Sequence, residues 1–207
     1  WIFQYMPIGR SYTLGLMPTP EQRLQMWKQS WKLVREKSIF LADFWNHGTV
    51  VDGCLSAGGH GNGGYMYIDW NGNVSPCVFV PFSPVNIKDV YAKGGNLTDI
   101  FNEPFFADLR KWQADIKIQT NGKNLLNPCP IRDHNADLRQ LIRKHEVEPL
   151  DLNAAEALQD ANYAKGMDVY GEKYQKIVDT IWEKVYVQNS PLEAEDTEKL
   201  TELFAEK

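Results

Sequence analysis

The 207-residue chain has only three cysteines, no excess of basic residues and no long apolar run, and each shortage excludes a class of protein. Three widely spaced cysteines cannot build a disulfide scaffold, and an odd number leaves at least one thiol unpaired. The 27 acidic residues outnumber the 22 basic ones, which argues against nucleic acid as the main partner. No run approaches the roughly 18 apolar residues of a membrane-spanning helix, and no secretion signal opens the chain. We therefore expect a cytoplasmic protein that binds neither membrane nor nucleic acid.

The first fifty residues are predicted to form a strand, a helix and a second strand. Residues 1–8 are rich in β-branched and aromatic side chains and end in the breaker cluster Pro7-Ile8-Gly9-Arg10. Thr19 and Pro20 then mark the start of a helix that ends near Lys37. A second apolar run, 39–45, completes the crossover unit of a parallel sheet. Because the chain opens inside an apolar run without an initiator methionine, we expect it to be a piece of a longer protein.

The middle of the chain combines a glycine-rich segment with a hairpin. Six of the 15 glycines lie between Gly53 and Gly64, where the backbone must turn tightly or approach another group. Residues 65–70 and 74–80 are predicted to pair as strands around the Asn71-Gly72 turn signal, with Tyr65 as a packing residue. The glycine-rich segment offers no GxGxxG before a predicted helix and no GKS or GKT sequence, which disfavours a nucleotide phosphate loop. No GxSxG elbow is present, which disfavours a serine hydrolase.

The second half of the chain is predicted to be mainly helical. Residues 97–112 show helical spacing around Pro104, which predicts two short helices. Apolar stripes at helical spacing continue from Ala136 onward, and the acidic end, 193–207, is expected to fray. The predicted fold class is therefore α/β to α+β, with a helical C-terminal tail.

The three cysteines, Cys54, Cys77 and Cys129, each lie in a segment rich in glycine or proline. Thiolates suit iron–sulfur clusters, zinc or copper, and glycine-rich turns let backbone amides approach the sulfurs of a cluster. The same residues also fit buried structural cysteines, because no CxxC pair is present. Composition and spacing leave both interpretations open.

Cys54 and the segment Gly72-Asn73-Val74-Ser75-Pro76-Cys77, followed by residues 97–110, carry a family resemblance. The pattern resembles the opening of the auxiliary-cluster domain, of SPASM or twitch type, in radical S-adenosylmethionine (radical SAM) enzymes. The resemblance implies three parts: the end of a partial (β/α) barrel at 1–52, the cluster domain at 53–134 and a helical tail at 135–207. It also implies that Cys54, Cys77 and Cys129 bind one auxiliary four-iron four-sulfur cluster, as in the shorter twitch version.

The resemblance further implies that part of the enzyme is missing, because the barrel motif CxxxCxxC does not occur in this sequence. S-adenosylmethionine and a second four-iron four-sulfur cluster would belong to a missing N-terminal barrel half, and this chain is not expected to be active alone. The auxiliary cluster would position a peptide or small-molecule substrate, or relay electrons, in oxidoreductase chemistry. The alternative is a non-catalytic α+β interaction module with structural or zinc-binding cysteines.

Further candidate residues lie outside the cysteines. The fourth position of the implied cluster is left to another side chain, to substrate or to solvent. His60, Asp133 and His134 are nearby candidates in the sequence, and each also fits a surface or loop residue. Barrel enzymes place their chemistry after the strands, which makes Arg10 and Asp43 candidates for contacts with substrate or cofactor. An arginine can hold a carboxylate by two hydrogen bonds, although a structural salt bridge is an equal alternative. A carboxylate within an apolar strand needs partners, so Asp43 has either a site role or a structural one.

Overall fold

The computed structural model describes residues 1–43, 46, 54–57, 64–116 and 124–192, which form a mixed α+β structure with small antiparallel sheets. The described helices are α1 Pro20–Lys37, α2 Ile87–Ala92, α3 Leu97–Phe101, α4 Pro104–Ile116, α5 Asn135–Lys144, α6 Leu152–Gln159 and α7 Ala161–Ile181. The strands are β1 Tyr67–Ile68, β2 Asn73–Ser75, β3 Phe82–Ser83, β4 Val85–Asn86 and β5 Glu148–Pro149. None of these helices combines the length and apolar character needed to cross a membrane.

The two predicted strands that flank α1 are reduced to a single contact in the described residues. Ile2 and Asp43 form an isolated parallel bridge, and the Ile2 N–H donates to the Ala42 carbonyl at 2.8 Å. The parallel direction agrees with the predicted crossover, but the prediction of a full strand over 1–8 was wrong. A strand of a parallel sheet is normally paired on both edges, and the described segments offer one bridge. The predicted partial barrel is therefore not confirmed.

Helix α1 begins and ends where the sequence predicts. The Thr19 Oγ1 atom accepts from the Gln22 N–H at 3.2 Å, and the Gln22 side chain accepts from the Thr19 N–H at 2.8 Å. This capping box precedes Pro20 at the first helical position. After Lys37, Ser38 adopts the left-handed region with φ of 51°, which ends the helix.

The predicted hairpin is confirmed and positions one of the cysteines. Strands β1 and β2 pair antiparallel, with Tyr67 opposite Ser75. Gly72 closes the loop at φ of 91°, and a Cβ atom there would lie 2.8 Å from Asn86 Oδ1, so the position requires glycine. The return strand ends at Ser75 rather than at the predicted Val80, because Pro76 has no N–H for the ladder. Cys77 therefore lies in a turn just beyond the sheet.

The predicted helices are confirmed, and they pack on the hairpin. Pro104 separates α3 from α4, and the helical tail consists of α5, α6 and α7. Strand β2 also pairs with β4. Strand β3 pairs with β5, which follows α5 in the chain, and this pairing joins the hairpin region to the tail. The largest apolar core combines Val74, Ile100, Phe105, Phe106, Leu109, Ile131, Leu138 and Ile142, among others. The predicted fraying segment, 193–207, lies outside the described residues.

Candidate metal centre

Three short, turn-rich segments bring the cysteines to one side of the hairpin. Cys54 lies two residues before Ser56, which forms a parallel bridge with Tyr65. Cys77 follows β2, and Cys129 opens a turn in which its carbonyl accepts from the Asp133 N–H at 2.9 Å. None of the three cysteines forms a disulfide; Cys129 is buried, and Cys54 and Cys77 are partly buried. Cysteines that are 75 residues apart in sequence thus lie in neighbouring loops.

The hydroxyl group of Tyr65 contacts one of the thiols and lies within electrostatic range of the other two. Its oxygen is 3.0 Å from the Sγ atom of Cys77. Burial raises the pKa of Tyr65 well above its ordinary value, Cys77 adds to the rise, and Cys54 and Cys129 contribute in the same direction. All three thiols therefore lie within electrostatic range of one hydroxyl. We call Cys54, Cys77, Cys129 and Tyr65 together the thiol site.

Burial keeps two of these thiols protonated at neutral pH. It raises the pKa of Cys77 to about 11, while the hydrogen bonds from Tyr65 and from the Phe79 N–H oppose the rise. Burial likewise raises the pKa of Cys129 to about 12, with a further rise from Asp133 and an opposing effect of Arg132. Because metals bind the thiolate form, loading of this site has to release protons.

Helix α4 fixes the segment that carries Cys54. The Sγ atom of Cys54 lies 3.0 Å from the Ser56 Oγ atom, and the side-chain amide of Gln113 donates to that oxygen at 3.0 Å. One turn earlier on the helix, Arg110 donates to the carbonyls of Ala57, at 3.2 Å, and Phe101, at 2.6 Å. Ser56 and Gln113 are almost completely buried. The position of the Cys54 thiol is therefore set by hydrogen bonds that water does not reach.

A buried ion pair fixes the turn that carries Cys129. The Asp133 carboxylate accepts from the Cys129 N–H at 3.2 Å and from the Arg23 guanidinium, on α1, at 2.6 Å. Burial opposes the ionised form of Asp133, but Arg23 and Arg132 outweigh it and keep the pKa below its ordinary value. Both carboxylate oxygens accept hydrogen bonds, so Asp133 anchors the turn here rather than pointing to a vacant cluster position.

The other two candidates for the fourth position differ in what the structure describes. His134 donates through Nε2 to the Asn127 carbonyl at 2.8 Å, and its ring packs edge-on against Trp112 with centroids 5.3 Å apart. These contacts give His134 a structural role. His60 lies outside the described residues, as does most of the glycine-rich segment.

Asp43 is fully buried and belongs to a polar network that reaches the thiol site. Asn46 donates to its carboxylate at 2.7 Å, and the Gln4 amide nitrogen lies 3.4 Å from both oxygens. The Gln4 oxygen accepts from Arg132 at 2.9 Å, and Arg132 is the neighbour of Asp133. The buried carboxylate has the partners that the sequence argument required. Its contact with substrate or cofactor stays a prediction.

Arg10 lies exposed in the turn after the opening segment. Its predicted contact with a substrate carboxylate also stays a prediction. Within the described residues, no three His, Cys, Asp or Glu side chains converge closely enough to hold a single metal ion.

Sequence reasoning missed the residues that surround the thiols. The alternating pattern of residues 65–70 indicated only packing for Tyr65, whereas its hydroxyl contacts Cys77. Gln113 and Arg23 lie on ordinary helix surfaces in the sequence, and nothing in their local patterns shows that both become fully buried. The one available signal was the position of Arg23, which lies one helical turn before Trp27 and therefore on the face of α1 that was predicted to be apolar.

Comparison with known families identifies the region that holds this site. Residues 60–135 match the family model of SPASM, an iron–sulfur cluster-binding domain. This part of the chain is similar to SPASM domains. The match confirms the SPASM resemblance predicted from the Gly72–Cys77 segment, and it supports binding of an iron–sulfur cluster. Cys77 and Cys129 lie inside the matched SPASM segment, and Cys54 lies six residues before it. No curated protein and no solved structure matches the chain.

Proposed function

We propose that this chain is the C-terminal auxiliary-cluster region of a radical SAM enzyme and that Cys54, Cys77 and Cys129 bind one four-iron four-sulfur cluster. The observation that carries the proposal is the proximity of the three cysteines beside the hairpin: Cys77 contacts the Tyr65 hydroxyl at 3.0 Å, and Cys54 and Cys129 lie within electrostatic range of it. Thiolates are the usual protein ligands of such clusters. The donor set present in the chain therefore fits the group.

The arrangement of the thiols suits a cluster better than a single ion. A cubane cluster takes each thiolate on a different iron atom, so its ligands surround a volume instead of meeting at one point. Backbone N–H groups of Phe79 and Arg132 already interact with the sulfurs of Cys77 and Cys129. Such hydrogen bonds stabilise thiolates and tune clusters. When bound, the cluster would supply one-electron transfer or an open iron for a substrate.

Charge near the site supports an anionic cluster. The negative charge of three thiolates exceeds the positive charge of a four-iron four-sulfur core in its usual oxidation state. Arg132 opposes the rise in the pKa of Cys129, so its guanidinium favours the thiolate there. Arg132 and Arg23 are both completely buried, where their charges are screened little by solvent.

The opening residues support the proposed missing barrel half. The parallel bridge between Ile2 and Asp43 has the direction expected on either side of a crossover helix. The side chains of Trp1, Phe3 and Phe40 are 74%, 62% and 82% exposed. Together they present a large apolar surface. Further barrel strands would cover it. In the proposal, that half brings the CxxxCxxC cluster and S-adenosylmethionine, and the substrate is a peptide or a small molecule processed in the cytoplasm.

Anaerobic reconstitution with iron and sulfide, compared with purification in the presence of zinc, tests the proposal against its alternative. The proposal predicts about four irons and as many sulfides per chain, with broad visible charge-transfer absorption. The variant that replaces all three cysteines by serine is expected to take up neither. A colourless wild-type chain with one tightly bound zinc and no iron would instead support an interaction module with a zinc site.

A further inference from the structure

We propose that the hydroxyl groups of Tyr65 and Ser56 donate hydrogen bonds to the cluster thiolates of Cys77 and Cys54 and thereby raise the reduction potential of the cluster. This inference rests on the proposed function, because it requires a cluster held by these cysteines. It adds two residues to the site that act on the cluster without ligating it.

The direction of the hydrogen bond at Cys54 follows from the residue behind Ser56. The Gln113 amide nitrogen can only donate, and it donates to the Ser56 Oγ atom at 3.0 Å. The Ser56 hydrogen then points elsewhere, and the Cys54 Sγ atom lies 3.0 Å from the same oxygen. Ser56 is 1% and Gln113 is 0% exposed, so water does not compete for these groups. Ser56 is therefore oriented as a donor toward the sulfur.

The hydrogen bond at Cys77 has one possible direction once the thiol loses its proton. A metal-bound thiolate carries no hydrogen and can only accept, whereas the phenol O–H of Tyr65 is a good donor. The two atoms already lie 3.0 Å apart. The Tyr65 side chain, at 44% exposure, lies on the solvent side of the thiol site, with its hydroxyl toward the sulfur.

Two donors at the sulfurs change the energy of the two oxidation states unequally. Reduction adds one electron to the cluster and neither makes nor breaks a bond to it, so the sulfurs of the reduced form carry more negative charge. A hydrogen bond to sulfur is stronger when that charge is larger. The reduced state is therefore stabilised more than the oxidised state, and the reduction potential rises.

The test measures the reduction potential of the reconstituted chain by anaerobic titration with dithionite, monitored by electron paramagnetic resonance. Tyr65→Phe and Ser56→Ala each remove one hydroxyl. Tyr67→Phe is the matched control, because it makes the same substitution two residues further on, where the hydroxyl has no hydrogen bond to a described residue. Iron per chain is counted in every sample.

Tyr65→Phe and Ser56→Ala are expected to keep the iron content of the wild type and to shift the potential downward. The expected shift is up to tenfold in the reduction equilibrium, or about 59 mV for a one-electron couple. Tyr67→Phe should leave the potential unchanged. Equal potentials in Tyr65→Phe, Ser56→Ala and the wild type would overturn the inference. Loss of iron in Tyr65→Phe would overturn it too, because the hydroxyl would then be a ligand of the cluster rather than a hydrogen-bond donor to its thiolate. A wild type that takes up no iron would instead refute the proposed function.

Discussion

At the residue scale, the turn that carries Cys129 depends on one buried carboxylate. Asp133 joins that turn to α1 through Arg23, whose guanidinium also lies 3.3 Å from the ring centroid of Tyr174. Two other nitrogens of Arg23 have no hydrogen-bond partner among the described residues, so the aromatic ring and the ion pair carry its charge. Such a pair is costly to break, because the partner left behind remains charged and buried.

Arg23→Met is therefore expected to lower the free energy of unfolding by about 3 kcal/mol, which is the usual cost of leaving one member of a buried ion pair charged and without its partner. Lys144→Met is the matched control, because Lys144 also pairs with an aspartate, Asp108, at 2.5 Å, but is 59% exposed. Its loss should cost less than about 1 kcal/mol. Denaturant unfolding of the two variants measures both values, and similar losses would contradict a stabilising role for the buried pair.

At the element scale, Asp69 holds the hairpin loop in shape. Its carboxylate accepts from the N–H groups of Asn71, at 2.8 Å, and Asn73, at 2.9 Å. Burial opposes ionisation of Asp69, but the hydrogen bonds from Asn73 and Asn71 outweigh it and lower the pKa. The resulting stability is fully present above the unfolded-state pKa of about 3.9. It is lost as the pH falls through the lower folded-state pKa.

Asp69→Ala is expected to destabilise the chain by about 1 kcal/mol at neutral pH, the net value of lost hydrogen bonds. The difference from the wild type should shrink as the pH falls below about 4. Unfolding free energies measured across this range check both statements. Glu36→Ala, which removes an exposed carboxylate of α1, should show no such difference. A gap for Asp69→Ala that stays constant down to the lowest pH would contradict the assignment.

Helix α7 approaches the Cys129 turn closely because it has a glycine there. A Cβ atom at Gly171 would lie 2.6 Å from the backbone carbonyl oxygen of Asp133. At Gly166, in the same helix, the added atom would meet only the flexible end of Leu14, at 2.1 Å. Both substitutions by alanine gain about the same helix propensity, so their difference isolates the contact with the turn.

Gly171→Ala is expected to cost about 1–3 kcal/mol of stability, as for other overpacked sites, and to reduce iron uptake by displacing Cys129. Gly166→Ala should be close to neutral, because the Leu14 side chain can move. Thermal unfolding and iron counting on the two variants provide the comparison. An iron content in Gly171→Ala equal to that of Gly166→Ala would show that α7 does not position the turn.

At the scale of the whole molecule, the sequence predicted local elements better than contacts between them. The Thr19 cap, the Asn71-Gly72 turn and the Pro104 break depend on neighbouring residues, and each marks an observed boundary. The pairing of β3 with β5 involves strands of two residues, which are too short to show the alternation of apolar and polar side chains that predicts a strand. The contact between Arg23 and Asp133 joins residues 110 positions apart. No local pattern encodes such a contact, since it arises only when distant elements pack.

The same limit applies to the candidate site. The cysteines could be selected from their glycine and proline neighbours and from the SPASM resemblance. The hydroxyl partners Tyr65 and Ser56 became visible only in the fold, where, for example, Gln113 reaches Ser56 across 57 positions of the sequence. Local chemistry therefore predicted the candidate ligands, and tertiary packing determined what surrounds them.

The most direct test of the account is the number of irons per chain after anaerobic reconstitution of the wild type beside Cys54→Ala, Cys77→Ala and Cys129→Ala. Cys54→Ala is the most informative, because Cys54 lies just before the matched SPASM segment. The account predicts about four irons in the wild type and loss of most of them in each variant. Full iron content in any single variant, or a wild type that binds no iron and whose thiols react only after unfolding, would contradict it.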